Sequence, residues 1–236
     1  MMDTANLKRL NAARRARRAV MLVTDMEGGT DQVILEGGPV DGALREAVVT
    51  TFRTGTSGTF AIAGRTYFLN VHMPPPHLVI IGAVHISQFL AQTAALAGFD
   101  VRIIDPRTAF ATPERFAGID LTADWPVDVL KDRPLDAYTA VVAVTHDPKI
   151  DDFPIAKALR SGCFYVGALG SRKTHRSRLE RLKKEGFSDE ELARIHGPIG
   201  LDIGTSSPAE IAVAIVAQII QALRSREVMS SKGDKP

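Results

Sequence analysis

Leu78 to Arg107 reads LVIIGAVHISQFLAQTAALAGFDVRIIDPR, and this stretch decides the fold. An apolar run ends at Gly82. Apolar residues at helical spacing follow as far as Gly98, and a second apolar run ends at Asp105. Strand, helix and strand in roughly 30 residues make a parallel crossover unit. The loop after the first strand is the place where a dinucleotide fingerprint, G-x-G-x-x-G, would stand. Here Gly82, Val84 and Ser87 occupy the three glycine positions. Gly82 can still make the tight turn, and Ser87 is small enough for close helix–strand packing. The β-branch of Val84 stands where a pyrophosphate would touch backbone, so the dinucleotide signal is weak.

The alternation continues downstream. YTAVVAVT (138–145) predicts a buried strand, PKIDDFPIAKALRSG a helix stopped by Gly162, and CFYVGAL (163–169) the next strand. SRKTHRSRLERLKKEG predicts a basic helix ending at Gly186. Capping boxes are expected at Ser188/Glu191 and at Ser207/Glu210, the latter opening the last helix. TPER (112–115) predicts another helix start, with Thr112 as cap and Pro113 in the first turn.

Upstream the pattern differs. Residues 1–18 predict a helical lead-in. AVMLVTD (19–25) and DQVILEGG (31–38) predict strands joined by a turn at Gly28-Gly29. VDGALREAVVTTFRTG predicts a helix ending at Gly55, and SGTFAIAGRTYFLNVH a hairpin around Ala63-Gly64. HMPPPH (72–77) is a stiff connector whose prolines cannot donate to a sheet. The expected class is therefore α/β. A small α+β domain (1–73) precedes a doubly wound parallel sheet (74–226), and a disordered tail (227–236) follows.

Composition narrows the partners. The 236 residues are 45% hydrophobic and 24% charged, with a formal net charge of +2, which gives no reason to expect nucleic acid. The cluster RRARR (14–18) reads as a solvated helix face, because no aromatic residues interleave the charges for base stacking. The single cysteine, Cys163, forbids an intrachain disulfide and fits a reducing compartment. The longest apolar stretch, from Ile211, is interrupted by glutamines and falls short of a membrane span. A cytoplasmic protein with no membrane partner is expected.

In a doubly wound sheet, ligands sit beyond the carboxyl ends of the strands, where the strand order reverses. Amides around Val84 and His85 would open the helix there and favour an anion. His85, at a helix N-terminus, is better cast as a neutral donor than as a cation. Asp105 lies about 20 residues beyond Gly82, where an acid takes a ribose hydroxyl; it equally reads as a turn residue before Pro106. Arg107 is a bidentate grip for phosphate or carboxylate, or a surface ion pair.

With the 138–145 strand beside the first one, Thr145, His146 and Asp147 would face Gly82 to His85. His146 then reads as a ligand contact or as a cap before Pro148. A two-histidine, one-carboxylate metal site is conceivable there, but no local ligand spacing supports one, and no protein-bound metal is expected. The third strand-end loop places Gly170 and Ser171 before a first turn carrying Arg172 and Lys173. Cations are disfavoured at that end unless an anion is present. The alternative is a solvated basic face. Asp202 either faces the crevice or stabilises its own loop. There is no G-x-S-x-G elbow or assignable Ser-His-Asp triad, and Cys163 reads as an inert core residue.

Taken together, GAVHI…IIDPR, VTHDPKIDD, YVGALGSRKT and PIGLDIGTSSPAEIAVAIVAQI resemble the Rossmann half of the XdhC/CoxI family over about residues 72–225. These are accessory proteins of xanthine dehydrogenase and related molybdenum hydroxylases. The resemblance implies a chaperone with no turnover of its own. Such a protein binds molybdenum cofactor, holds it while a cysteine desulfurase helps install the terminal sulfido ligand, and delivers it to the apo-hydroxylase. The expected partners are the molybdenum hydroxylase, the desulfurase and a further copy of the chain in a homo-oligomer. The family loop commonly reads G-A-G-H, with Val84 here at the second glycine, and the family's N-terminal G-G-C-x-E segment has no counterpart in residues 1–71. That implies a companion XdhC-like chain supplying the rest. The other readings are an NAD(P)-dependent oxidoreductase, favoured by Asp105, and a non-catalytic regulatory subunit.

Overall fold

The computed structural model describes residues 3–226, so the expectation for the tail 227–236 lies outside the described residues. The chain divides into two compact units within the proline connector, between Pro74 and Pro75.

The N-terminal unit holds α1 (Thr4–Arg15), β1 (Val20–Asp25), β2 (Asp31–Leu35), α2 (Arg45–Thr54), β3 (Gly58–Ile62) and β4 (Arg65–His72). The strands form an antiparallel sheet in the order β2-β1-β4-β3. Asp3 caps α1, and α2 ends on Gly55 at φ +67°. Leu10 and Ala13 of α1 pack on Val20 and Val33 of the sheet. Among the described residues, Arg224 to Arg226 also group with this unit, where Arg226 meets Glu36 at 2.8 Å.

The second unit is the alternating one. It contains β5 (His77–Ile81), α3 (His85–Leu96), β6 (Asp100–Ile104), β7 (Asp120–Thr122), α4 (Pro126–Asp132), β8 (Thr139–Ala143), α5 (Pro148–Arg160), β9 (Tyr165–Ala168), α6 (Arg172–Lys184), α7 (Asp189–Leu192), β10 (Ile195–His196) and α8 (Pro208–Ser225). The six strands are all parallel, in the order β10-β9-β8-β5-β6-β7. The order reverses between β5 and β8.

Alternation with period two divides the core between the faces of this sheet. Leu78, Ile80, Val101, Ile103, Ala140 and Val142 face α3 and α8. Val79, Ile81, Ile104, Val141, Ala143 and Val166 face α4, α5, α6 and α7. Both faces are covered, which is why these strands read as unbroken apolar runs. Both expected capping boxes form, at Ser188/Glu191 and at Ser207/Glu210. By length and composition α8 is apolar enough to cross a membrane, yet Ala212, Ile215, Val216 and Ile219 are spent on the sheet.

One expected helix is absent. Thr112–Arg115 forms isolated turns, with Arg115 N–H donating to the Thr112 carbonyl at 3.1 Å. The left-handed Gly118, at φ +77°, turns the chain into β7 two residues later and leaves no length for a helix. The short strands β7 and β10 and helix α4 carried too few periodic positions to be expected.

Candidate functional site

Beyond the carboxyl ends of the strands, the loop after β5 is built tightly. Gly82 sits at φ +116°, and a Cβ there would lie 2.7 Å from Thr145 Cγ2. Glycine is therefore required both for the turn and for the approach of the β8 loop. The Ala83 N–H donates to Asp105 Oδ2 at 2.7 Å, and Ser87 Oγ donates back to the Gly82 carbonyl at 2.6 Å. Val84 takes the N-cap position of α3 in extended conformation and supplies no side-chain cap. The exposed His85 packs its ring 5.3 Å from Phe89.

Asp105 is 0% exposed. Its Oδ1 accepts from Arg107 N–H and Nε, both at 2.9 Å, and its Oδ2 accepts from Arg107 Nη2 at 2.8 Å. Burial pushes this carboxyl up, but the Arg107 and Ala83 donors outweigh it and hold it below the ordinary range. Of its two expected roles, the turn residue before Pro106 is the one seen, in the Arg107 N–H bond to Oδ1. Asp105 also anchors the β5–α3 loop and holds the Arg107 side chain, whose guanidinium lies 4.5 Å over the Phe110 ring. Arg115, absent from the sequence reading, donates to the Ala83 and Phe110 carbonyls at 2.8 and 2.6 Å.

The loop after β8 is equally constrained. Thr145 Oγ1 donates to Asp151 Oδ1 at 2.7 Å and accepts from the Asp147 N–H at 3.0 Å. His146 is held at φ +64°, an uncommon conformation for a non-glycine residue, with its N–H donating to Asp151 Oδ2 at 3.0 Å. Its ring is left exposed. Asp147 caps α5, accepting from Lys149 N–H at 2.9 Å. The expected grouping of Thr145, His146 and Asp147 thus resolves into an anchor, a presented ring and a helix cap.

After β9, Gly170 at φ +142° approaches Thr174, and Ser171 caps α6 through the Thr174 N–H. Arg172 and Lys173 follow, both exposed, in the first turn. Lys173 joins His146 in one cavity of about 410 Å³ that is also lined by Thr174, Ser177, Arg178 and Arg181. Two residues predicted from separate loops are therefore brought together. Gly82, Val84, His85 and Arg107 do not line this cavity.

Arg178 and its neighbours escaped the sequence reading. Arg178 is 2% exposed, and its Nε and Nη1 are buried without a hydrogen-bond partner. Its Nη2 donates to the Leu169 carbonyl at 3.3 Å and stands 3.9 Å from Asp151. Arg181 grips Asp152 with two hydrogen bonds of 2.6 and 3.0 Å. The signal was present in principle: Arg178 lies one helical turn before the buried Leu182, on the core-facing side of α6. Among the described residues, no group of three or more His, Cys, Asp and Glu is placed to hold a metal ion.

Residues 78–219 match the XdhC Rossmann domain. The chain belongs to the XdhC family. Curated relatives include the uncharacterized protein YqeB of Escherichia coli, 34% identical over 65% of this chain and 28% of its own length. A probable xanthine dehydrogenase subunit of Bacillus subtilis is 34% identical over 63% of the chain and 43% of its own length. The molybdenum cofactor insertion chaperone PaoD of Escherichia coli is 30% identical over 62% and 40%. The chain thus spans less than half the length of these XdhC-related proteins. A crystal structure described as a xanthine dehydrogenase from Bacillus halodurans superposes with a TM-score of 0.68 at 26% identity, covering 94% of this chain and 67% of the other. That coverage carries the likeness into the N-terminal unit.

Proposed function

We propose that this XdhC-family chain is an accessory protein of a xanthine dehydrogenase- or carbon monoxide dehydrogenase-type molybdenum hydroxylase. It binds molybdenum cofactor as cargo, assists its sulfuration and promotes its insertion. The observation that carries this reading is the cavity where His146 and Lys173, from the loops after β8 and β9, meet at the carboxyl ends of the sheet. A cofactor with a phosphate, a polar pterin and an oxyanionic metal centre needs cationic and hydrogen-bonding walls. Lys173, Arg178 and Arg181 with the hydroxyls of Thr174 and Ser177 provide them, and the two unpartnered nitrogens of Arg178 await an acceptor. The names of the Bacillus subtilis and PaoD relatives support the same role.

The reading places the chain in the cytoplasm with a cysteine desulfurase, the apo-hydroxylase, a second copy of itself and a companion XdhC-like chain as partners. An NAD(P) oxidoreductase is disfavoured, because Asp105 is committed to Ala83 and Arg107 and would have to release them to accept a ribose hydroxyl.

Fluorescence titration of the chain with molybdenum cofactor, with NADH in a parallel cell, tests the proposal. Saturable cofactor binding near one per chain, weakened in His146→Asn and without NADH binding, is the expected outcome. NADH binding alone would replace the reading with the oxidoreductase one. If neither binds, the titration is repeated with the companion chain, and failure there ends the proposal.

A further inference from the structure

We infer that the cavity between the β8–α5 loop and the first turns of α6 is a phosphate site, built for a phosphate monoester dianion, and that it replaces the phosphate position usual after the first strand of this fold. For the larger ligand this rests on the molybdenum cofactor reading; for the phosphate itself it does not.

The usual position has been closed from within. The Ala83 N–H is taken by Asp105, Arg115 holds the Ala83 carbonyl, and Val84 places a β-branched side chain at the mouth of α3. Arg107, the guanidinium that the sequence suggested for an anion here, is consumed by Asp105. An anion approaching there finds the first amides of α3 and little else.

The second position is the reverse. Arg178 is a nearly fully buried cation whose remaining N–H groups point at nothing. Asp151, the buried carboxylate nearest to it, is 3.9 Å away, and its two oxygens are already engaged by Thr145 Oγ1 and the His146 N–H. Asp152 is likewise held by Arg181. Burial draws the guanidinium's pKa down, and Asp151 and Asp152 offset this only in part. Arginine stays charged nonetheless, and although Asp151 lies close enough to offset that charge, no side chain accepts from Nε or Nη1. An acceptor in the cavity, such as a phosphate oxygen, would satisfy these N–H groups with charge-assisted hydrogen bonds.

The rest of the wall agrees. Lys173, Arg178 and Arg181 line the cavity with the hydroxyls of Thr174 and Ser177, and no carboxylate lines it. The amino end of α6, 13 residues long, adds its partial positive charge on the same side. Arg172 and Lys173 sit in a first turn that disfavours cations unless an anion is bound there, which is a second, independent sign that an anion belongs here. At about 410 Å³ the cavity exceeds a phosphate and leaves room for the group it esterifies.

Calorimetric titration of the full chain with inorganic phosphate tests this, with phosphorus-31 line broadening as a second readout. One saturable site is expected. Lys173→Met, on the surface, should weaken it by about tenfold, as for a lost charge-assisted contact. Arg178→Met should abolish it, with circular dichroism confirming that the variant is folded. Lys183→Met, near the other end of α6 and paired with Asp189, should leave binding unchanged. Absence of a saturable heat, or equal weakening by Lys183→Met, overturns the site. If molybdenum cofactor binds wild type and Lys173→Met equally well, the phosphate assignment falls while the accessory role stands. If phosphate binds as described and the cofactor does not, the site stands and the cofactor reading falls.

Discussion

Arg107 closes on Asp105 through side-chain hydrogen bonds of 2.9 and 2.8 Å, and the same carboxylate anchors the β5–α3 loop through the Ala83 N–H. One buried acid therefore fixes both a strand-end loop and the cation beside it. Asp105→Asn keeps the shape but loses the charge pairing. Because Arg107 is about a third exposed, its released guanidinium regains water, so the cost stays near that of lost charge-assisted hydrogen bonds, roughly 2–3 kcal/mol. Urea unfolding should show this loss at neutral pH. The difference should vanish in acid: a carboxyl held below its ordinary value of 3.8 stabilises fully above that pH and loses its contribution as pH falls through the folded-state value.

Gly82 and Gly98 separate two costs that sequence alone confounds. Both have positive φ, +116° and +87°. A Cβ on Gly98 meets nothing within 4 Å, whereas one on Gly82 meets Thr145 and Val144. Gly98→Ala should cost only backbone strain, roughly 1–2 kcal/mol. Gly82→Ala should cost roughly 2–4 kcal/mol, since it adds overpacking against the β8 loop. Denaturant midpoints of the two variants check the difference.

The long helices were legible by their 3.6-residue period, and the core strands by short unbroken apolar runs bounded by turn signals. Leu78–Ile81 and Thr139–Ala143 are apolar on both faces because helices cover both faces. The same logic hid the site. Arg178 reads as one more charge on a basic helix until α6 is docked and its core-facing side is known. Asp151 reads as a first-turn acid until the β8 loop folds back onto it. Asp105 was the opposite case. Its position fits a ligand contact or a turn residue equally, and only the third dimension reveals that the turn is made and that Ala83 and the Arg107 side chain claim the rest of the carboxylate. Loop partners depend on which strand ends meet, and that information is spread over the whole domain.

His196 stacks on Tyr165, ring centroids 4.7 Å apart and 11° from parallel. Burial lowers its pKa from the ordinary 6.5, and burial lowers those of His175 and His72 as well. A histidine whose folded-state pKa is depressed takes up its proton more readily when unfolded. Stability is then intact above about pH 6.5 and is lost as pH falls from there towards the folded-state values. His196→Phe keeps the stacked ring and removes the titration. Thermal unfolding followed from pH 8 to about pH 5 should show a shallower decline for the variant than for wild type. An identical slope would mean that the stacked ring, and not its protonation, is what matters.

Under the proposed accessory role, Cys163 is the one cysteine of this chain that could carry sulfur. It is 1% exposed beneath β9, and burial pushes its thiol up to about 12, with Asp136 adding to the shift. The thiolate is both the nucleophile and the sulfur acceptor in persulfide transfer. At neutral pH this thiol is almost wholly protonated and out of reach. Alkylation of the native chain by a maleimide should therefore be slow and should accelerate sharply in denaturant. Cys163→Ala should leave maturation of the hydroxylase unchanged, at a stability cost of about 1 kcal/mol for the small cavity it opens. If maturation fails in a stable Cys163→Ala chain, sulfur passes through this residue after a local opening of β9. Unchanged maturation rules out Cys163 as a sulfur carrier.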